Sequence, residues 1–226
     1  MKSPKFSLMA AMAVLLLGSC NKSSSPGDTA SGMQIQLAVS NPTVVVGKIE
    51  GPGTVAWTSG SAYATMVKLE AKQNGSQAEF KTTIPAQVDL FAPVAATLGN
   101  ITLPAGTYSE VEFKISLSQN GSAPALELNG NYTNASSQVI PVSFILNSSI
   151  ILKAEQNNVT ITSNSNFSAL TTLNLAFVSA GITQAMLNSA TLTNGKIIIS
   201  ASSNSNLYNI ILNNLQQFHH VDISHH

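Results

Sequence analysis

From Met33 the chain alternates. Met33, Ile35, Leu37 and Val39 are separated by Gln34, Gln36, Ala38 and Ser40, a period of two that puts every second side chain on one face of a half-buried strand. The same period recurs over 110–117: Val111, Phe113, Ile115 and Leu117 share one face, Glu110, Glu112 and Lys114 the other. β-Branched runs at 43–46 and 53–57, bounded by Pro42, Gly47, Gly51 and Gly60, predict two more strands. Further strands are predicted over 63–72, 77–83, 138–146, 149–154, 158–163, 171–177 and 196–201.

Turn chemistry punctuates these runs. Asn-Gly stands at 74–75, 120–121, 129–130 and 194–195. It is the pair that best tolerates positive φ at both centres of a type I′ hairpin turn. In Leu103-Pro-Ala-Gly-Thr-Tyr108, Pro104 presets φ and Gly106 permits a left-handed turn before the strand at 110–117. Tyr108 is placed either to return its hydroxyl to a nearby backbone group, as in a tyrosine corner, or to sit as an ordinary strand tyrosine. Near the end the period lengthens. A short helix is predicted over 182–188 and a longer one over 206–218, whose stripe is Leu207, Ile210, Ile211, Leu215 and Phe218, with Asn204 or Ser205 as cap. The fold expected is mainly β: an antiparallel Greek-key β-sandwich over 33–226, immunoglobulin-like or transthyretin-like, with one or two short C-terminal helices.

The first thirty-two residues follow a different logic. Lys2 and Lys5 precede an apolar run over 6–17, too short for the ~30 Å hydrocarbon core and suited to the hydrophobic region of an export signal. Leu17-Gly18-Ser19-Cys20 resembles the lipobox of bacterial lipoproteins, in which the cysteine sulfur receives a diacylglycerol and cleavage precedes it. Cys20 is the chain's one cysteine and has no partner for an internal disulfide. The expectation is a signal peptide over 1–19, an acylated Cys20 carrying lipid such as palmitate, and a flexible spacer over 20–32 rich in Ser, Gly and Pro. Asn21 in place of aspartate favours the outer membrane, by analogy with proteobacterial sorting.

Composition narrows the partners. Only 9% of residues are charged while 44% are hydrophobic, so 30 serines, 21 asparagines and 18 threonines carry the solvation. All ten basic residues are lysine. Without guanidinium forks and without a basic field, no nucleic-acid partner is expected.

Trp57-Thr-Ser-Gly60, Val67-Lys-Leu-Glu-Ala71, Val88-Asp-Leu-Phe91, the Leu103–Tyr108 turn and Thr191-Leu-Thr-Asn-Gly-Lys-Ile-Ile-Ile199 together resemble a group of Bacteroidota outer-membrane lipoproteins with a domain of unknown function. The resemblance covers about residues 33–223 and implies a β-sandwich and an envelope location, with no catalytic residues to carry over. Asp28-Thr29-Ala30 resembles the O-glycosylation sequon of that phylum, making Thr29 a candidate modification site. Surface lipoproteins of the phylum often carry acids just after the cysteine; these are missing, and both membrane faces stay open.

Catalytic chemistry is sparse. Glu110 and Glu112 stand at i, i+2, about 7 Å apart by strand rise, a separation that suits an inverting glycosidase. Lys114 on the same face argues instead for a solvated strand surface. No histidine precedes residue 219 to activate a serine. His219, His220, His225 and His226, with Asp222, are weak metal candidates on a terminal tail, part of which reads as a strand through Val221 and Ile223. No metal or cofactor is expected beyond the covalent lipid. Sugar recognition would use aromatic platforms, and Trp57, Tyr63, Tyr108, Tyr132 and Tyr208 are the available rings, Trp57 being the natural core member.

The expected function is therefore a non-enzymatic binding or structural role at the cell envelope, with a membrane, and a glycan or envelope protein, as partners. The alternatives are a fimbrillin-like fibre subunit, for which no arginine or lysine maturation site stands near Met33, and a glycan-binding or glycan-processing accessory protein.

Overall fold

The computed structural model describes residues 31–46, 53–217 and 221–225. Residues 1–30, including the predicted signal, Cys20 and Thr29, lie outside them, as do Phe218, His219, His220 and His226.

Strands dominate, in two packed sheets. The first sheet holds β1 (Ser31–Ser40), β5 (Ala96–Leu103), β10 (Asn166–Asn174) and β13 (Val221–His225) in the order β13-β10-β1-β5. The second is built round one long strand, β3 (Gly53–Gln73). The first half of β3 pairs with β2 (Thr43–Val46) on one edge and β7 (Leu126–Thr133) on the other. Its second half pairs with β4 (Ser76–Asp89) and β6 (Gly106–Leu117). Beyond β7 lie β8 (Val139–Leu146), β12 (Lys196–Ile199) and β11 (Leu192–Thr193); beyond β6 lies β9 (Ile150–Ile161). The predicted β-sandwich is what forms. Two pairings, β1 with β10 and β12 with β8, are parallel. Each joins strands far apart in sequence, where no hairpin imposes opposite directions.

Alternation becomes burial as the sequence implies. Met33, Ile35 and Leu37 from one sheet, and Val111, Phe113, Ile115 and Leu117 from the other, are at most 1% exposed and belong to one continuous core. Burying each such side chain contributes about 1.5–3 kcal/mol. The sheets also approach at their edges: the Gln156 side chain on β9 accepts a bond from the Ile223 amide on β13, 3.1 Å. The tail strand through Val221 and Ile223 thus forms as expected, on the edge of β10.

Several boundaries differ from expectation, each for a local reason. The runs at 53–57 and 63–72 fuse into β3, because Gly60 continues the strand. A Cβ there would lie 2.7 Å from the Glu127 carbonyl oxygen, so glycine answers a close approach, not a turn. Asn129-Gly130 likewise lies inside β7. A Cβ on Gly130 would meet the Ala56 carbonyl oxygen at 2.2 Å, beside the register shift between Trp57 and Ser59. The other three Asn-Gly pairs do carry positive φ at glycine, and Asn74 and Asn194 are left-handed as well. The runs at 149–154 and 158–163 join in β9 across Asn158, whose φ of 57° interrupts the ladder opposite Ser109 without shifting its register. Ser31 and Gly32 belong to β1 and not to the spacer: Gly32 pairs with Asn166, and the Ser31 hydroxyl bonds the Thr162 carbonyl.

The strand predicted over 171–177 ends at Asn174. Its side chain accepts from the amides of Ala176 and Phe177 and caps α1 (Leu175–Val178). α2 (Gln184–Asn188) and α3 (Ser205–Gln216) fall where predicted, α2 starting two residues later and α3 starting one residue earlier and ending two earlier. α3 buries Leu207, Tyr208, Ile211 and Leu215, and Tyr208 stacks on Phe144 with ring centroids 5.8 Å apart. Asn204 does not cap α3 with its side chain. It sits left-handed, and its amide bonds Thr191 and the Ile198 carbonyl, tying the β11 hairpin to the helix start. The tyrosine corner is present: the Tyr108 hydroxyl donates to the Pro104 carbonyl at 2.8 Å. Gly106, at φ 157°, is close to extended rather than left-handed. Its missing Cβ instead leaves room for the Gln73 amide.

Candidate functional site

Glu110 and Glu112 stand within a lattice of charge. Register places Lys81, Lys68, Lys114 and Lys153 in one row across β4, β3, β6 and β9. Glu79, Glu70, Glu112 and Glu155 form the next row. With Lys72 opposite Glu110, this outer face holds half of the chain's ten lysines and half of its ten acids. Like charges directly opposite repel, so the stabilising contacts run diagonally and along strands. Lys68 reaches Glu70 at 2.6 Å and Glu79 at 2.9 Å. Lys114 reaches Glu70 at 3.0 Å and also bonds Glu112. Lys72 grips both oxygens of Glu110 at 2.8 Å.

The two ammonium groups hold the Glu70 carboxyl down to about 2 from its usual 4.5. The carboxylates in turn raise Lys68, Lys72 and Lys114. Glu110, Glu112 and Glu155 offer oxygens all within 4.8 Å of one another. The hollow beside them, lined by Glu112, Lys153, Ala154 and Glu155, measures about 140 Å³. The charges of this face are paired across and along its strands, an arrangement that favours solvation and strand registration.

A second site lies further along the same outer surface, where β3 passes from one set of neighbours to the other. Ser59 and Ser61 of β3, Gln87 and Asp89 of β4 and Asn129 of β7 line an open cleft of about 470 Å³, floored by Gly60 and Val88. Register brings them together: Ser61 lies between Asp89 and Glu127, and Ser59 opposite Asn129. Their orientations are fixed by neighbours. Asn129 Oδ1 accepts from the buried Ser143 hydroxyl and from Lys196 Nζ at 3.3 Å, while Nδ2 donates to Glu127 at 3.0 Å. Gln87 donates to the Ser61 hydroxyl at 3.3 Å, and Asp89 Oδ1 accepts from the Phe91 amide at 2.9 Å. The cleft thus presents held amides, hydroxyls and one carboxylate.

Sequence reasoning missed this cleft, since its residues come from strands separated by up to seventy positions and share no motif. Two signals pointed at it indirectly: Ser59-Gly-Ser61 inside a β-rich run, and an Asn-Gly pair that forms no turn. Trp57 is core as expected, 3% exposed, with its indole N–H donating to the Ser179 hydroxyl at 3.2 Å. Of the histidines, His225 closes β13 opposite Phe167, and the other three fall outside the described residues. Among the described residues no helix is long and apolar enough to cross a membrane. No protein-family model, curated protein or solved structure matches this chain.

Proposed function

We propose that the chain is a lipid-anchored protein of the outer membrane in which the β-sandwich has a non-enzymatic binding or structural role. The observation that carries this reading is the order of signals at the start: basic residues, a short apolar run, then Gly18-Ser19-Cys20 ahead of a polar spacer. Two acyl chains or more hold a protein stably at a bilayer. A non-enzymatic role is supported by the ion pairing of Glu110 with Lys72 and of Glu112 with Lys114. A fibre subunit of the strand-donating kind would need an open groove or a detachable first strand. β1 is bonded along both edges, to β5 and β10, and buries Met33, Ile35 and Leu37, so detaching it would tear the centre out of its sheet.

The test is metabolic labelling with a palmitate analogue followed by membrane fractionation. Label in the outer-membrane fraction, lost in Cys20→Ser, is the expected result. Unlabelled wild-type protein free in the soluble fraction refutes the anchor.

A further inference from the structure

We infer that the cleft between Ser59, Ser61, Gln87, Asp89 and Asn129 binds a neutral, hydroxyl-rich ligand of the carbohydrate class. The inference deepens the binding role proposed above and rests on it.

The lining selects the ligand chemistry. The Gln87 amide and the Asp89 carboxylate offer adjacent donors and acceptors of the kind that pair with vicinal hydroxyls, Asn129 adds one free N–H because Ser143 and Lys196 occupy its oxygen, and two serines add groups that both donate and accept. Asp89 is the only charged side chain among the lining residues. An anionic ligand would meet Asp89 directly, while Lys196 behind Asn129 is matched by Glu127 on the same amide, so phosphates and acidic sugars are disfavoured. A purely apolar ligand would strip water from Asp89 and the amides without replacing their bonds. Neutral hydroxyls meet neither obstacle. The volume, about 470 Å³, lies within the ~300–1,000 Å³ of small-ligand sites. The cleft is open along a sheet face, which admits a residue within a longer chain as readily as a free end.

Preorganisation separates this cleft from an ordinary polar surface. Asn129 is held by three bonds, one of them from Ser143, a hydroxyl only 1% exposed. Gln87 and Asp89 are held by one bond each. Ordering costs fall when a site's side chains are already fixed.

The second, independent observation concerns the aromatic rings. Trp57, Tyr108, Tyr132 and Tyr208 are all buried. Tyr63 alone among the tryptophan and tyrosine rings reaches the surface, half-buried. It follows Ser61 by two residues on the same outer face and pairs in register with Gln87, which lines the cleft. The ring that reaches the surface among the tryptophan and tyrosine side chains therefore borders this cleft, where it can stack on the apolar face of a sugar.

Isothermal titration of the full-length chain in detergent micelles, against neutral gluco-, manno-, xylo- and galacto-tetraoses and against an oligogalacturonate of the same length, tests this. Saturable binding of at least one neutral tetraose is expected. Asp89→Asn, which keeps size and the acceptor for Phe91, and Tyr63→Ala should each weaken it about tenfold. Glu110→Gln on the charged face should leave it unchanged. Binding that survives both cleft variants, preference for the oligogalacturonate, or no heat with any neutral tetraose overturns the inference. The Asp89→Asn protein should melt with the wild type, so its effect reads binding and not folding. Palmitate labelling of the same preparation separates the two readings. A labelled protein that ignores every sugar sinks the cleft alone; an unlabelled one that binds sinks the anchor alone.

Discussion

Lys68 and Lys114 stand directly opposite each other on β3 and β6, and both ammonium groups bond one carboxylate oxygen of Glu70. Two like charges are tolerated side by side because a third charge lies two residues along the strand from Lys68 and diagonal to Lys114. Glu70 is thus the keystone of the ion-paired face.

Glu70→Gln removes that keystone and leaves the lysines facing each other. A loss of about 1 kcal/mol is expected after allowance for solvent screening, measured by urea unfolding at pH 7. The pH dependence has a definite sign. The folded carboxyl is held at about 2 against an ordinary 4.5, so its contribution is present above about 4.5 and is lost as pH falls towards 2. Wild-type and Glu70→Gln stabilities should converge over that window. Curves that stay parallel down to pH 2 would contradict the assignment.

Gly130→Ala tests the close approach of β7 to β3. The new Cβ would stand 2.2 Å from the Ala56 carbonyl oxygen, backbone that cannot yield without breaking the ladder. A loss of about 3 kcal/mol is expected from thermal melts. Gly121→Ala is the contrast: its Cβ meets nothing within 4 Å, but φ is +57°, so about 1 kcal/mol of backbone strain is expected. Equal losses at the two sites would show that conformation, not contact, dominates.

Tyr108→Phe deletes the hydroxyl that bonds Pro104 and leaves the ring in the core. A loss of about 1 kcal/mol is expected, seen as a lower denaturant midpoint at unchanged slope. No change in midpoint would mean the corner is held by the turn backbone alone.

Thr171→Val should go the other way. Thr171 is 1% exposed in β10, and its hydroxyl finds no partner among the described residues. Replacing it with an isosteric methyl removes a desolvated polar atom, and a gain of about 1 kcal/mol is expected in thermal melts. A destabilised variant would reveal a partner for that oxygen.

How far the chain could be read in advance follows from where each signal resides. Period two over 33–39 and 110–117 is local, and the burial of Met33, Ile35, Leu37, Val111 and Phe113 follows from it. Turn chemistry is local at Asn74-Gly75 and Asn194-Gly195, where φ depends on the pair itself. It misled at Asn129-Gly130 and at Gly60, where glycine answers a neighbour seventy residues away in sequence. The strand predicted through Asn174 and the cap expected of Asn204 went astray for a related reason. An asparagine side chain bonds whatever backbone lies near, and only folding decides whether that is a helix start or a distant hairpin.

By itself, the sequence determined the β class, the faces of the strands, the tyrosine corner's ingredients and the expectation of an N-terminal lipid anchor, because each depends on residues within a few positions of one another. Tertiary structure alone decided that two runs become one 21-residue strand, β3, pairing with different neighbours along its length. It also decided that ten charges form neutralising rows, and that Ser61, Gln87, Asp89 and Asn129 meet at one cleft beside Tyr63. The physical reason is register: inter-strand pairing sets which side chains lie 5 Å apart, and no short-range pattern encodes it.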